Sequence, residues 1–400
     1  MTPPAMKLNS FDEWSPLREV VLGSAVNYTS HEVELSFELF FHDHMPFDQM
    51  YYPRHVPRDD AGQGPRDDAG QGPRDDGGQG PGASGASKIK QQYVDELNED
   101  VEGIAELLAS MSIVVHRPLP LADPCTVRTP AWSAAVVPPL NLRDNTLIIG
   151  DEIIETPPLI RARYFETQFL TPVFAEYFRR GARWTVMPRP MMTDMSFDLS
   201  YATREPVVEP IADPWPSPYD TGHEMMFDGA QCLRLGRDLI ANVATANHAL
   251  ACDWLERHLE GRVRVHRVGL VDSHIDSAVL ALRPGLLLVR SPDLAGKLPE
   301  PLRRWDMIFP PEPDENNFPA YDADDLVLTT RYIDLNVLSI DPETVMVNSA
   351  CPELMRTLEK HRFTVVPFRH RHRRLFGGGL HCFTLDTVRE GSGPEDYLYG

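Results

Sequence analysis

Apolar residues along this chain fall into short runs that recur in one order: two strand-like runs, an amphipathic helical stretch, then a third strand-like run. Continuous apolar runs bounded by turn residues read as buried strands, and apolar positions three and four apart read as a helix facing a core. One unit runs NTLIIG, DEIIET, a helix with Phe165, Phe169, Val173, Phe174 and Tyr177 on one face, then RWTVMP. A second runs QCLRLG, DLIANVA, a helix from about Asn247 to Leu259, then VRVHRV. A third opens with HIDSAVLAL, turns at Arg283-Pro284-Gly285, returns as LLLVRS and continues through LPEPLRRW to DMIFP. A fourth has NVLSI, VMVN, the helix PELMRTLEKH and FTVVPF.

The fifth unit has its parts at opposite ends of the chain. It combines the C-terminal LHCFTLDTV with REVVLG, the helix carrying Tyr93, Leu97, Val101, Ile104 and Leu108, and SIVVH. Termini that share a unit close a ring, so the pattern predicts a radial α/β assembly of five ββαβ modules around an axis, with a generic α/β sandwich as the alternative. In a ring, polar residues distant in sequence meet at the centre. The tandem PRDDAGQG, PRDDAGQG and PRDDGGQG segment within 57–87 lacks apolar surface to offset its ordering entropy. It is expected to be a flexible, low-complexity insertion in a single domain spanning 1–400; a docking tag is the other reading.

Composition narrows the chemistry. With 42% hydrophobic and 24% charged residues, and no uncharged apolar stretch near the ~20 residues of a membrane span, a soluble protein is expected. The formal charge of −21 disfavours nucleic acid and anionic membranes and attracts small cations. Five scattered cysteines without C-x-x-C spacing fit neither a disulfide framework nor a zinc site. With no signal-like N-terminus, a reducing, cytoplasmic setting is expected.

Chemistry-bearing residues stand out against this background. Gly377-Gly378-Gly379 precede Leu380-His381-Cys382, and glycine lets backbone or ligand approach closely, which favours Cys382 as an exposed nucleophile on a strand. Cys232 and Cys252 read as core residues. His274, between Asp272 and Asp276, is the best-placed acid/base; His223 is the runner-up, and His248, His258 and His361 read as solvated helix residues. Asp144 and Asp228 each stand at the lip of a core strand, where a carboxylate is costly unless paired. Two carboxylates facing a thiol and an imidazole suit a guanidinium, which is planar, permanently charged and rich in donors.

FDGAQCLRLGRD, HIDSAVLALRPGLLL and GGGLHCFTLD together resemble the amidinotransferases of the pentein superfamily. The likeness extends from FDEWSPLREVVLG through IIGDEIIETP, RARYFE and RRGARWTVMP to the C-terminus, interrupted by the repeat insertion. The resemblance implies the pentein α/β-propeller and transfer of an amidino group from a guanidino donor, L-arginine releasing L-ornithine, to a primary amine in specialised-metabolite biosynthesis. It implies Cys382 as nucleophile, His274 as acid/base and Asp228 as its partner, with Asp144, Arg163, Asp276, Thr330 and His381 binding substrate. A homodimer without metal or organic cofactor is expected.

Four positions depart from the vertebrate pattern of that family: Gln231 replaces an aspartate, Leu294 replaces an arginine implicated in holding the donor's carboxylate, and Thr329 and Thr330 replace paired serines. Guanidine hydrolysis is the alternative activity, but hydrolases resembling GGGPRC before the cysteine differ from Leu380-His381 here. A silent binding protein is disfavoured by the intact Cys382, His274 and Asp228. Finally, the run Arg369-His370-Arg371-His372-Arg373-Arg374 reads either as a solvated loop or as a rim that grips an anionic acceptor.

Overall fold

The computed structural model describes residues 6–32, 34–42, 87–197, 223–271, 274–322, 325–391 and 393–400. The repeat segment at 57–80 and Asp272 lie outside them.

Five three-stranded sheets with a common plan dominate the described residues. In chain order, β1 (Leu17–Leu22) is followed by α1 (Leu35–His42), α2 (Gln91–Ser110) and β2 (Val114–His116). The next module has β3 (Thr146–Ile149), β4 (Glu152–Glu155), α3 (Thr171–Arg179) and β5 (Arg183–Val186). Then come β6 (Cys232–Leu235), β7 (Asp238–Asn242), α4 (Ala246–His258) and β8 (Arg264–Val268). The fourth module has β9 (Val279–Arg283), β10 (Leu286–Val289), short helices α5 (Pro292–Lys297) and α6 (Glu300–Arg303), and β11 (Asp306–Ile308). The fifth has β12 (Leu338–Asp341), β13 (Thr344–Asn348), α7 (Pro352–Lys360) and β14 (Thr364–Phe368), and α8 (Leu380–Phe383) then leads into β15 (Thr384–Arg389).

Within each module the first two strands pair antiparallel and the third joins parallel after the helix, as in Leu147↔Ile154 and Ile153↔Trp184. The ring closes where β15 pairs antiparallel with β1, Val21 opposite Leu385, and β1 pairs parallel with β2. Helix spacing explains the packing: Val94, Leu97, Val101, Ile104 and Leu108 form one buried stripe of α2 against Val20. Leu354 and Leu358 of α7 pack on Val345 in the same way.

The first strands of the modules crowd the axis, where a buried ionic cluster replaces an apolar plug. Arg234 is bidentate to Glu13 at 2.8 and 2.7 Å, and its Nη2 also lies 2.7 and 2.9 Å from the two carboxylate oxygens of Asp386. Arg389 bonds Asp386 at 2.6 Å and donates to the carbonyls of Ser15 and Ser339, tying the two chain ends to the fifth module. Burying such charges is costly, and every one of these four is met by an opposite charge.

Three local expectations change. The helix of the second module begins only at Thr171, where Pro172 favours the first turn, so Phe165 and Phe169 lie ahead of it in tighter turns. Cys382 sits on the helical turn α8 and not on a strand, and it is buried rather than exposed. His248 is fully buried, receiving the Ala244 amide at 3.2 Å and lying 3.0 Å from Gln231, whereas His361 is exposed as expected.

Candidate active site

Every module sends one polar side chain to the same end of the axis from the segment just before its first strand. These are Asp144 before β3, Asp228 before β6, His274 before β9, Asn336 before β12 and Cys382 before β15. The ring thus converts a repeated position into one cluster. A carboxylate oxygen of Asp144, a ring nitrogen of His274 and Sγ of Cys382 all lie within 4.8 Å of one another.

Cys382 is held from its backbone. Its amide donates to Oδ1 of Asn336 at 2.9 Å, and the His381 amide donates to the Asn336 carbonyl at 3.3 Å. The glycines matter through close approach: a Cβ on Gly378 would stand 2.1 Å from Asn141 Oδ1, and one on Gly379 would stand 2.6 Å from Asn336 Cβ. Two asparagines therefore clamp the turn that presents the thiol. Sγ donates to Asp276 Oδ2 at 3.5 Å, and the same oxygen meets Nδ1 of His381 at 2.8 Å.

His274 is joined to Asp228 through Nε2···Oδ2 at 2.9 Å, and its Nδ1 lies 3.6 Å from Asp144 Oδ1. Burial works against the imidazolium, but Asp144 and the hydrogen bond to Asp228 outweigh it and push His274 up to about 9. Burial pushes the Cys382 thiol well above its ordinary value, and Asp276 and Asp144 add to the shift. Asp276 itself is held below the usual carboxylate range: burial opposes this, and the His381 hydrogen bond overrides it. The centre without substrate thus holds a protonated imidazole beside a neutral thiol.

Arg163 lies in the turn before α3 and binds Asp144 Oδ2 at 2.5 Å, Glu166 Oε2 at 2.5 Å and the Asn141 carbonyl at 2.8 Å. Burial pushes Glu166 up to about 7 despite this pairing. Around these groups is a cavity of ≈ 1200 Å³ including its open mouth. Phe37 and Phe40 of α1 form part of its apolar wall, with the Phe40 ring centred 6.2 Å from that of His274.

Of the residues expected from sequence, Asp144, Arg163, His274, Asp276, Thr330 and Cys382 line this cavity. Asp228 and His381 are not among the lining residues; Asp228 contacts His274 and His381 contacts Asp276. Thr330 also caps the following turn, accepting the Tyr332 amide at 3.2 Å. Gln231 faces His248, and exposed His223 does not line the cavity. Sequence reasoning missed Asn141, Glu166, Asn336 and the α1 phenylalanines. Asn336 alone had a signal, its place just before the first strand of a module.

The basic run takes neither expected role. Arg369 and Arg371 bind the buried Asp100 of α2 at 2.8 and 3.1 Å, and His372 contacts Glu96 of the same helix. Arg373 is buried, bonds Asp334 at 2.7 Å and lies 4.2 Å over the Phe318 ring. Burial pushes His370 down to about 3, so it is a neutral core residue. None of the six lines the cavity.

Known proteins similar to this chain were found by both sequence and structure. The chain is 31% identical over 311 residues to the L-arginine:L-lysine amidinotransferase of Pseudomonas savastanoi pv. phaseolicola, covering 77% of this chain and 82% of that protein. It is 28% identical over 398 residues to the mitochondrial glycine amidinotransferase of Danio rerio, covering 97% and 84% of the two chains. The solved inosamine-phosphate amidinotransferase of Streptomyces griseus aligns with a TM-score of 0.78 at 28% identity, over 98% of this chain and 99% of that one. No protein-family model matches. The five-module ring is the pentein α/β fold, and the protein is an enzyme of that class. More narrowly, the chain belongs to the amidinotransferase family.

Proposed function

We propose that the enzyme moves an amidino group from L-arginine to a primary amine through a covalent adduct on Cys382. The observation that carries this reading is a pair of orphan acceptors: Oδ1 of Asp144 and Oδ1 of Asp228 are buried without a hydrogen-bond partner among the described residues. A buried acceptor left without a hydrogen bond is costly, and a guanidinium supplies a planar fork of donors that can reach both oxygens.

In the first half-reaction the bound guanidinium adds positive charge beside Cys382, offsetting Asp144 and Asp276 and favouring the thiolate. Sulfur bonds to the central carbon. His274, protonated at the outset, gives its proton to the departing nitrogen, the C–N bond breaks, and the thiol proton refills the imidazole. Ornithine leaves and an S-amidino cation remains on Cys382. The acceptor amine then attacks that carbon, the C–S bond breaks, and the amine's proton returns by His274 to sulfur. Atoms and protons balance over the two halves.

Product analysis tests this reading. With arginine and no acceptor, ornithine release should stop near one equivalent per site; continuous citrulline and ammonia formation would make the enzyme a hydrolase instead.

A further inference from the structure

We infer that the acceptor is an extended aliphatic amine, its reacting nitrogen at the end of an unbranched methylene chain and not set beside a carboxylate or on a polyhydroxylated ring; the inference rests on the amidino-transfer reading above.

The cavity has two kinds of lining. Asp144, Asp276 and His274 gather at the Cys382 sulfur, where the amidino carbon is exchanged. Val137, Leu140, Ile160, Ala162, Leu328 and Phe376 form an apolar part of the wall. Leu140 and Phe376 belong to the same buried cluster as Cys382, and Ile160, Ala162 and Leu328 belong to a neighbouring one. Val137 packs against both clusters, so apolar surface continues from the residue that bears the sulfur across the wall. None of these side chains can donate or accept a hydrogen bond or carry a charge.

This wall is set before a ligand arrives. Arg161, between Ile160 and Ala162, donates from its amide to Ser36 Oγ at 2.9 Å, and its guanidinium reaches the Met192 carbonyl at 2.8 Å and Asp194 at 2.9 Å. The Leu328 amide donates to the Arg374 carbonyl at 2.8 Å. A fixed apolar wall lets a ligand's methylenes be buried with little ordering of the protein.

Donor and acceptor use this cavity in turn, because ornithine must leave before the second amine attacks the same carbon. The acceptor nitrogen bonds to the S-amidino carbon as the C–S bond breaks, the bonding pair stays on sulfur, and one amine proton passes by His274 to it. That step is the reverse of ornithine's departure, and a path that serves one direction serves the other. Ornithine leaves as a nitrogen at the end of a methylene chain, so the site suits an acceptor of the same kind. An α-amine would instead bring its carboxylate beside Asp144 and Asp276, a like-charge contact, and the hydroxyls of a cyclitol would lie unpaired on Val137, Leu140 and Phe376. A methylene chain avoids both costs.

The test follows guanidino products from enzyme turning over L-arginine with glycine, 4-aminobutanoate or 6-aminohexanoate. These acceptors share an amine and a carboxylate and differ in the methylenes between them. In a ping-pong scheme the acceptor's kcat/KM is independent of the donor half, and it should rise about threefold or more per added methylene, near 10²-fold from the first acceptor to the last. L328A trims the wall and V137T puts a hydroxyl on it, and each should cut that rise by about fivefold or more. A flat or falling series in wild type, or an unchanged rise in both variants when folded, overturns the inference; the wild-type series stands even if neither variant folds. Intact mass of the enzyme separates the failures. If arginine leaves an adduct that glycine resolves as fast as 6-aminohexanoate, only the acceptor assignment falls. If arginine leaves no adduct, the transfer reading fails and the inference falls with it.

Discussion

Nε2 of His274 lies 2.9 Å from Oδ2 of Asp228, while Oδ1 of the same aspartate is buried without a hydrogen-bond partner among the described residues. One carboxylate thus does two jobs. It favours the charged imidazole and keeps a second buried acceptor, which the proposed mechanism assigns to the donor's guanidinium.

Replacing Asp228 by Asn should separate these effects by pH. His274 stands near 9 in the fold against an ordinary value of ~6.5. A raised folded value contributes stability fully below the unfolded value and loses it as pH rises through the folded one. Thermal melting should therefore show D228N most destabilised relative to wild type at about pH 6, with the gap narrowing towards pH 10. A gap independent of pH would remove the charge coupling from the account.

His274→Asn should slow adduct formation and adduct resolution alike, each by about 10² to 10⁴-fold, because one group gives the proton in the first half and takes it in the second. Single-turnover mixing separates the halves; impairment of only one would mean that another group shares the role.

Removing one partner of a buried ion pair costs about 3 to 5 kcal/mol, since the other charge is stranded. Arg163→Met should show a loss of that order in denaturant unfolding, leaving Asp144 and Glu166 without their cation. R163M/E166Q should recover part of it. No recovery would mean that the charge on Glu166 is not what Arg163 offsets.

Much of this arrangement was legible in the sequence, and the reason is local. The runs TLII, CLRL, VLAL and LSI are buried first strands of a repeated module, and residues before them fall at one end of the ring by symmetry. Cys382, His274, Asp144 and Asp228 followed from that placement and from the glycines. What was not legible depended on partners far away in the chain. Arg369 and Asp100 are separated by 269 residues, so a run that looks solvated is in fact a clamp on α2. His248 looks like a surface helix residue until Gln231 is folded against it. Asn336 and Asn141 are ordinary loop residues until the glycine turn is pressed between them.

That clamp gives a further expectation. Arg371→Ala and Arg373→Ala should lower the melting temperature and leave the KM for the acceptor unchanged, as neither residue lines the cavity. A raised, salt-sensitive acceptor KM with an unchanged melting temperature would return the run to the rim of the site.

The glycine turn can be tested by adding a single methyl group. Gly379→Ala places a Cβ 2.6 Å from Asn336 Cβ, and overpacking of this kind typically costs about 1 to 3 kcal/mol. Activity should fall much further than stability, because Asn336 is what holds the Cys382 amide. Wild-type turnover in a folded G379A would show that the clamp does not position the thiol.

The most direct measurement of the central claim is the mass of the Cys382 peptide after rapid acid quench of enzyme mixed with L-arginine alone. Wild type should carry one amidino group on that peptide, and a following chase with a competent amine should remove it as ornithine-free guanidino product. Cys382→Ala should carry none. An amidino group on any other residue, or an unmodified peptide while ornithine is being released, would contradict the covalent mechanism.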